Sequence, residues 1–145
     1  MADRNRNSTA ADLGLLIIRL GIGAMFMIFG WHKLQGGAEL WAKLGGAMKV
    51  FGITSQPALW GFMAMFSELV GGAMLFIGLF VRPYAALLTF TMITAAAMLI
   101  SNGAEMVGFS HPVDMAVVFA GLLIAGGGRY SLGAQFSALN GKWYC

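Results

Sequence analysis

Four apolar stretches, each near the length needed to cross a lipid bilayer, constrain this chain more than any other feature. A helix crossing ~30 Å of hydrocarbon needs ~20 residues, with roughly 17–25 the usual range. Runs over residues 13–31, 60–80, 84–100 and 113–127 approach that length. Pro57 sets a helix start ahead of the second run, and Arg82-Pro83 marks its stop. The third closes at the Ser101-Asn102-Gly103 turn signal; the fourth and shortest follows His111-Pro112 and ends at Gly126-Gly127-Gly128. Only Val81, Arg82 and Pro83 join the second run to the third. Nothing so short can cross over, so these two spans are expected to form an antiparallel hairpin. The predicted fold is all-α, an integral membrane four-helix transmembrane bundle with a short interfacial helix between spans one and two.

Composition supports lipid as the solvent. Of 145 residues, 59% are hydrophobic and 10% charged, against a soluble norm of roughly 45–50% and about 25%. Nine Lys/Arg and six Asp/Glu cannot cover the surface of a domain this small, so bilayer contact must replace polar cover. The net charge of +3 comes from scattered cations with no basic stripe, which argues against nucleic acid. The start MADRNRNSTAADLG places cations before an apolar run, as a signal peptide does. That run is too long for an h-region, contains Arg19 and ends in GWHKL without a small-x-small site, so it reads as a retained span. The single cysteine, Cys145, offers neither a disulfide framework nor a dithiol pair.

The expected organisation is a cytoplasmic tail over 1–12, a membrane domain over 13–132 and a C-terminal tail over 133–145. Within AELWAKLGGAMKVFGI, Leu40, Leu44, Met48 and Phe51 fall on one side at helical spacing, with Lys43 and Lys49 away from it. With Trp41 this reads as an amphipathic interfacial helix that Gly45-Gly46 weakens or breaks. An even number of spans puts both termini on one side. That side would carry Arg4, Arg6, Arg82, Arg129 and Lys142 against Lys33, Lys43 and Lys49 on the other, so the positive-inside rule places both termini in the cytoplasm.

Arg19 and Glu68 are the formal charges inside the predicted hydrocarbon. Residues of this kind face the bundle interior, pair, or mark a pathway. At ~1.5 Å per residue, Arg19 lies roughly 9 Å and Glu68 roughly 18 Å from the cytoplasmic ends of their spans, a gap that an extended Arg side chain almost bridges. A direct or water-bridged contact between them is set against Arg19 snorkelling to the headgroups while Glu68 is protonated or hydrogen-bonded in the bundle. Gly21, Gly23 and Gly30 in span one, and Gly61, Gly71, Gly72 and Gly78 around span two, are read as close-packing positions. Gly126-Gly127-Gly128-Arg129 lacks a phosphate-loop context. His32 and His111 share one side of the membrane and are weak candidates for a metal or haem, because neither has a ligand-like spacing; no metal is expected. No clustered Met motif for copper appears among the eleven Met.

Arg19, then Gly30-Trp31-His32-Lys33-Leu34, Glu68 with Gly71-Gly72, Gly78-Leu79-Phe80-Val81-Arg82 and Gly126-Gly127-Gly128-Arg129-Tyr130-Ser131-Leu132 together resemble the DoxX family of small four-helix membrane proteins. The similarity runs from about residue 13 to 132. It departs at Gly133, where many members carry Asp. The resemblance implies a bundle, not one reaction: some relatives are subunits of quinone-linked sulfur oxidation complexes, others associate with oxidant-defence proteins, and distant eukaryotic ones assist receptor assembly.

The leading expectation is therefore an auxiliary or anchoring subunit of a bacterial inner-membrane redox assembly, a homo- or hetero-oligomer beside a redox protein partner. No complete catalytic constellation lies in this chain. A quinone is the implied cofactor, near Arg19, Glu68 and Trp31, with His32, Lys33 and Arg82 as ligand-adjacent residues. The rival expectations are a small transporter or channel-like oligomer using Glu68 as a protonatable site, and a membrane assembly factor. Beyond Ser67, Glu68, Thr89, Thr91 and Thr94 no polar stripe is evident, which leans against a pore.

Overall fold

The computed structural model describes residues 2–136, with side chains from residue 9 onward. The side chains of Arg4 and Arg6, together with Lys142, Cys145 and the expected tail beyond residue 136, lie outside the described residues. The chain runs α1 (Ala2–Gln35), α2 (Gly37–Gly45), a 3-10 turn (Gly46–Phe51), α3 (Pro57–Ile77), α4 (Val81–Ser101), α5 (Met106–Ala125) and the one-turn α6 (Leu132–Gln135). Among the described residues four helices are long and apolar enough to cross a membrane. At most 39% of any span's most apolar window is buried inside the protein, so a large apolar surface is left on the outside of the bundle for lipid contact. Ile17, Val117 and Ile124, each more than 60% exposed, belong to this outer belt, which makes the chain a multi-pass membrane protein.

Helix bounds follow local chemistry, with three shifts from expectation. Helix α1 does not begin at residue 13 but is continuous from Ala2. Helix α3 starts at Pro57, whose missing N–H costs nothing at a first helical position. It ends three residues early because Gly78, at φ 76°, closes a C-terminal motif in which Leu79 N–H donates to Met74 O and Gly78 N–H to Leu75 O. The hairpin joint is thus Gly78–Phe80, and Arg82-Pro83 opens α4, Pro83 falling in a first turn where no intrahelical donor is needed. Helix α5 begins seven residues before 113 and takes Pro112 inside it. The carbonyl that Pro112 leaves without an N–H belongs to Gly108, which is exposed and has no Cβ to crowd the ring.

Glycine sets how the helices meet. A Cβ on Gly30 would lie 2.4 Å from Leu69 N, and one on Gly23 2.8 Å from Gly72 O, so α1 and α3 cross at backbone contact. Helix α2 meets α3 as closely: a Cβ on Gly45 would lie 1.7 Å from Pro57 O, and one on Gly61 1.8 Å from Trp41 O. The amphipathic segment breaks at Gly45-Gly46 into α2 and the 3-10 turn. Met48 is buried and Leu40 and Leu44 half-buried, while Lys43 and Lys49 are exposed. Phe51 departs from that pattern; it is exposed and stacks on Phe90 of α4 at 6.0 Å between ring centroids. Phe26, Leu75, Val81, Leu88 and Phe119 centre the core, and the edge-on contact of Phe26 with Phe119 at 4.8 Å closes α1 onto α5.

Candidate functional site

Two buried polar clusters lie at different depths of the bundle, and Arg19 and Glu68 fall one in each. Arg19, fully buried on α1, donates from Nη1 to Leu75 O at 3.1 Å and from Nη2 to Tyr130 O at 3.2 Å. Leu75 lies in the last turn of α3, the carbonyl end of the helix, which carries partial negative charge and favours a cation. Tyr130 lies in the turn after α5. Arg19 therefore ties three segments together at one end of the bundle. Gly78 makes room for it, since a Cβ there would sit 2.2 Å from Nη1.

The segment 126–133 is folded into the same end. Gly126 and Gly127 are buried, Ser131 Oγ donates to Gly128 O at 2.7 Å, and Gly133 N–H donates to Gly78 O at 3.0 Å. Arg129 N–H donates to Asp12 Oδ1 at 3.1 Å. Ser131 and Val81 pack against Gly127, and Asp12 and Leu15 lie beside Gly128. Arg82, in the first turn of α4, belongs to this end too; its Nε is buried without a partner among the described residues.

The second cluster is an ion pair. Lys33 Nζ, in the last turn of α1, donates to Glu68 Oε1 of α3 at 2.5 Å. The Glu68 side chain is 2% exposed and that of Lys33 26%. Trp41 Nε1 donates to Lys33 O at 2.8 Å, anchoring α2 over the end of α1. Glu68 Oε2 is buried and has no hydrogen-bond partner among the described residues, an orphaned acceptor of the kind that costs about 1–3 kcal/mol unless something donates to it. Beside the pair, Ser67 Oγ and Thr91 Oγ1 share a hydrogen bond of 2.8 Å between α3 and α4.

Clefts flank the pair on two sides. One, of about 160 Å³, lies under the 3-10 turn between α3 and α4 and is lined by Met48, Trp60, Phe90, Thr91 and Thr94 as well as Lys33 and Glu68. The other, of about 490 Å³, opens between α1, α4 and α5 and is lined by Phe26, Phe29, Met92, His32 and His111 with the same pair. Their walls are mostly apolar, and the Lys33–Glu68 pair, which borders both, is the charged feature on which a lipophilic ligand would be oriented.

The geometry separates the residues singled out from sequence. Lys33, Glu68, His32 and His111 come together, while Arg19 and Arg82 lie at the opposite end and Trp31, half exposed, lines neither cleft. Arg19 and Glu68 do not pair. Shared end planes for α1 and α3 would bring Arg19 towards Glu68, but the first turns of α3 extend beyond α1 and pack on α2, so that Leu69 is level with Gly30. Lys33 is one turn on from Gly30 on the same helix, which explains how it reaches Glu68. The Gly30 packing position was the sequence signal for that register, and its partner on α3 could not be chosen from sequence. His32 and His111 share a cleft, but no group of three His, Cys, Asp or Glu placed to hold a metal occurs among the described residues.

A family model described as DoxX matches residues 14–103, a stretch that holds Arg19, Lys33 and Glu68 and stops before His111. "Inner membrane protein YphA" of Escherichia coli (strain K12) is 30% identical over 131 residues, covering 81% of this chain and 86% of its own. "Putative oxidoreductase CatD" of Bacillus subtilis (strain 168) is 30% identical over 84 residues, 58% of each chain, so the match spans less than two thirds of that relative. No solved structure matches the chain.

Proposed function

Because the chain belongs to the DoxX family, we propose that it is a membrane subunit of a quinone-linked redox assembly in a bacterial inner membrane, with both termini in the cytoplasm. One observation carries the proposal: a buried carboxylate, held by Lys33 through one oxygen and without a donor at the other among the described residues, borders two mostly apolar clefts. An apolar ring with polar oxygens suits such a place, since its body can occupy the apolar walls while an oxygen meets the Lys33–Glu68 pair. The word oxidoreductase in the name of the Bacillus subtilis relative fits a redox role.

In this reading the quinone supplies electron-transfer chemistry when bound, and the protein supplies position and electrostatics. Lys33 has three N–H donors, of which Glu68 takes one, leaving donors for a ligand oxygen. Glu68 offers its second oxygen as acceptor for a hydroxyl of the ligand's reduced form. Phe26, Phe29 and Met92 give the larger cleft apolar walls, and His32 and His111 line it as further polar groups. A pore finds less support, because the hydroxyls of Thr89, Thr91 and Thr94 donate to carbonyls of their own helix and leave no free polar stripe.

The test is gentle purification from native membranes, followed by native mass spectrometry and quinone extraction. Stoichiometric quinone and a copurifying redox protein are the expected result. An empty homo-oligomer from the same membranes would overturn the proposal.

A further inference from the structure

Resting on the quinone reading above, we propose that the Lys33–Glu68 pair selects the redox form of its ligand and holds the hydroxyl-bearing quinol in preference to the quinone. The orphaned atom decides it. In the ion pair Glu68 is acceptor-only: Oε1 takes the Lys33 ammonium, and Oε2, on a side chain 98% buried, takes nothing among the described residues.

A quinone carbonyl is also acceptor-only. It can receive a hydrogen bond from Lys33, but beside Oε2 it sets lone pair against lone pair and leaves the orphan unmet. A quinol hydroxyl has both capacities on one oxygen. It donates its O–H to Glu68 Oε2 and accepts an N–H from Lys33, so one ligand atom satisfies both members of the pair. Hydrogen bonds to a charged acceptor are the strong ones, and failing to make one in a buried site is costly. The other oxygen, across the ring, meets mostly apolar walls, and the imidazoles of His32 and His111 that line the larger cleft can each donate or accept, so neither redox form is favoured there.

The preference is measurable without turnover. Equilibrium dialysis of the full chain in lipid nanodiscs, under anaerobic conditions, compares a short-tailed benzoquinol with its quinone and with its dimethyl ether. The ether keeps the ring and the oxygens but cannot donate. The quinol is expected to bind at least about tenfold more tightly than either, the ratio for one charged hydrogen bond made rather than lost. The same tenfold ratio raises the potential of the bound two-electron couple by about 30 mV. In Glu68→Gln, whose amide can itself donate, the ratio is expected to fall towards one.

Equal binding of quinol and quinone by the natural chain would overturn the inference while leaving the quinone reading intact. A quinol preference that survives Glu68→Gln would also overturn it, by removing Glu68 as the source. Binding of neither form would overturn the quinone reading itself. Because the ether comparison is made on the unaltered protein, the proposal stays testable even if Glu68→Gln folds poorly.

Discussion

Charges within an apolar bundle do different work according to what they touch. Arg19 touches two backbone carbonyls from separate segments, which is a structural tie at the end of α3. Arg19→Gln is therefore expected to cost about 3 kcal/mol, on the basis of roughly 1.5–3 kcal/mol for each bond from a charged donor. Arg19→Lys should recover only part of that, since an ammonium lacks the planar fork that reaches two acceptors. Thermal unfolding in detergent measures both, and a melting temperature unchanged in Arg19→Gln would refute the tie. Lys33 and Glu68 instead satisfy one another and little else. Lys33→Met strands a buried carboxylate and should cost about 1–3 kcal/mol, less than for a fully buried pair because the lysine is a quarter exposed. Combining it with Glu68→Gln should return most of the loss; a double variant as unstable as the sum of the singles would show that the two residues are uncoupled.

At the scale of elements, the α1–α3 crossing places the pair. Gly30 has no room for a Cβ against Leu69, whereas Gly21, on the same helix, has nothing within 4 Å. Gly30→Leu should force the helices apart, pull Lys33 from Glu68 and leave little folded protein. Gly21→Ala should be neutral or gain up to about 1 kcal/mol from helix propensity. Comparing the yield and melting of these two variants checks the crossing directly, and equal behaviour would contradict it. Gly78 is constrained twice, by φ 76° and by Arg19 Nη1 at 2.2 Å from any added Cβ. Gly78→Ala is expected to disrupt the α3–α4 hairpin, read as loss of monodisperse protein after purification.

For the molecule as a whole, the outer surface is the apolar one. Val117, 67% exposed on α5, faces lipid, so Val117→Leu should leave insertion unchanged and Val117→Asp should impair it by about 2.5–3.5 kcal/mol. A membrane-insertion assay of α5 reports the difference, and an unaffected Val117→Asp would place that face inside a protein interface. The architecture was legible in advance because hydropathy and helix punctuation are local properties: twenty apolar residues need a bilayer whatever surrounds them, and Gly103 or Pro57 acts on its own neighbours. The amphipathic face of Leu40, Leu44 and Met48 and its break at Gly45-Gly46 were readable for the same reason. Helix ends moved by several residues where signals competed, as when Pro83 and Pro112 proved compatible with first and second turns. Partners were another matter. The sequence by itself determined that four helices cross the membrane and that Arg19, Lys33 and Glu68 must be reckoned with. Only the tertiary structure decided that Glu68 meets Lys33 and that Arg19 caps α3, because pairing depends on the axial register of one helix against another. That register is set by glycine contacts between residues far apart in the chain, Gly30 with Leu69 and Gly23 with Gly72, which no local pattern encodes.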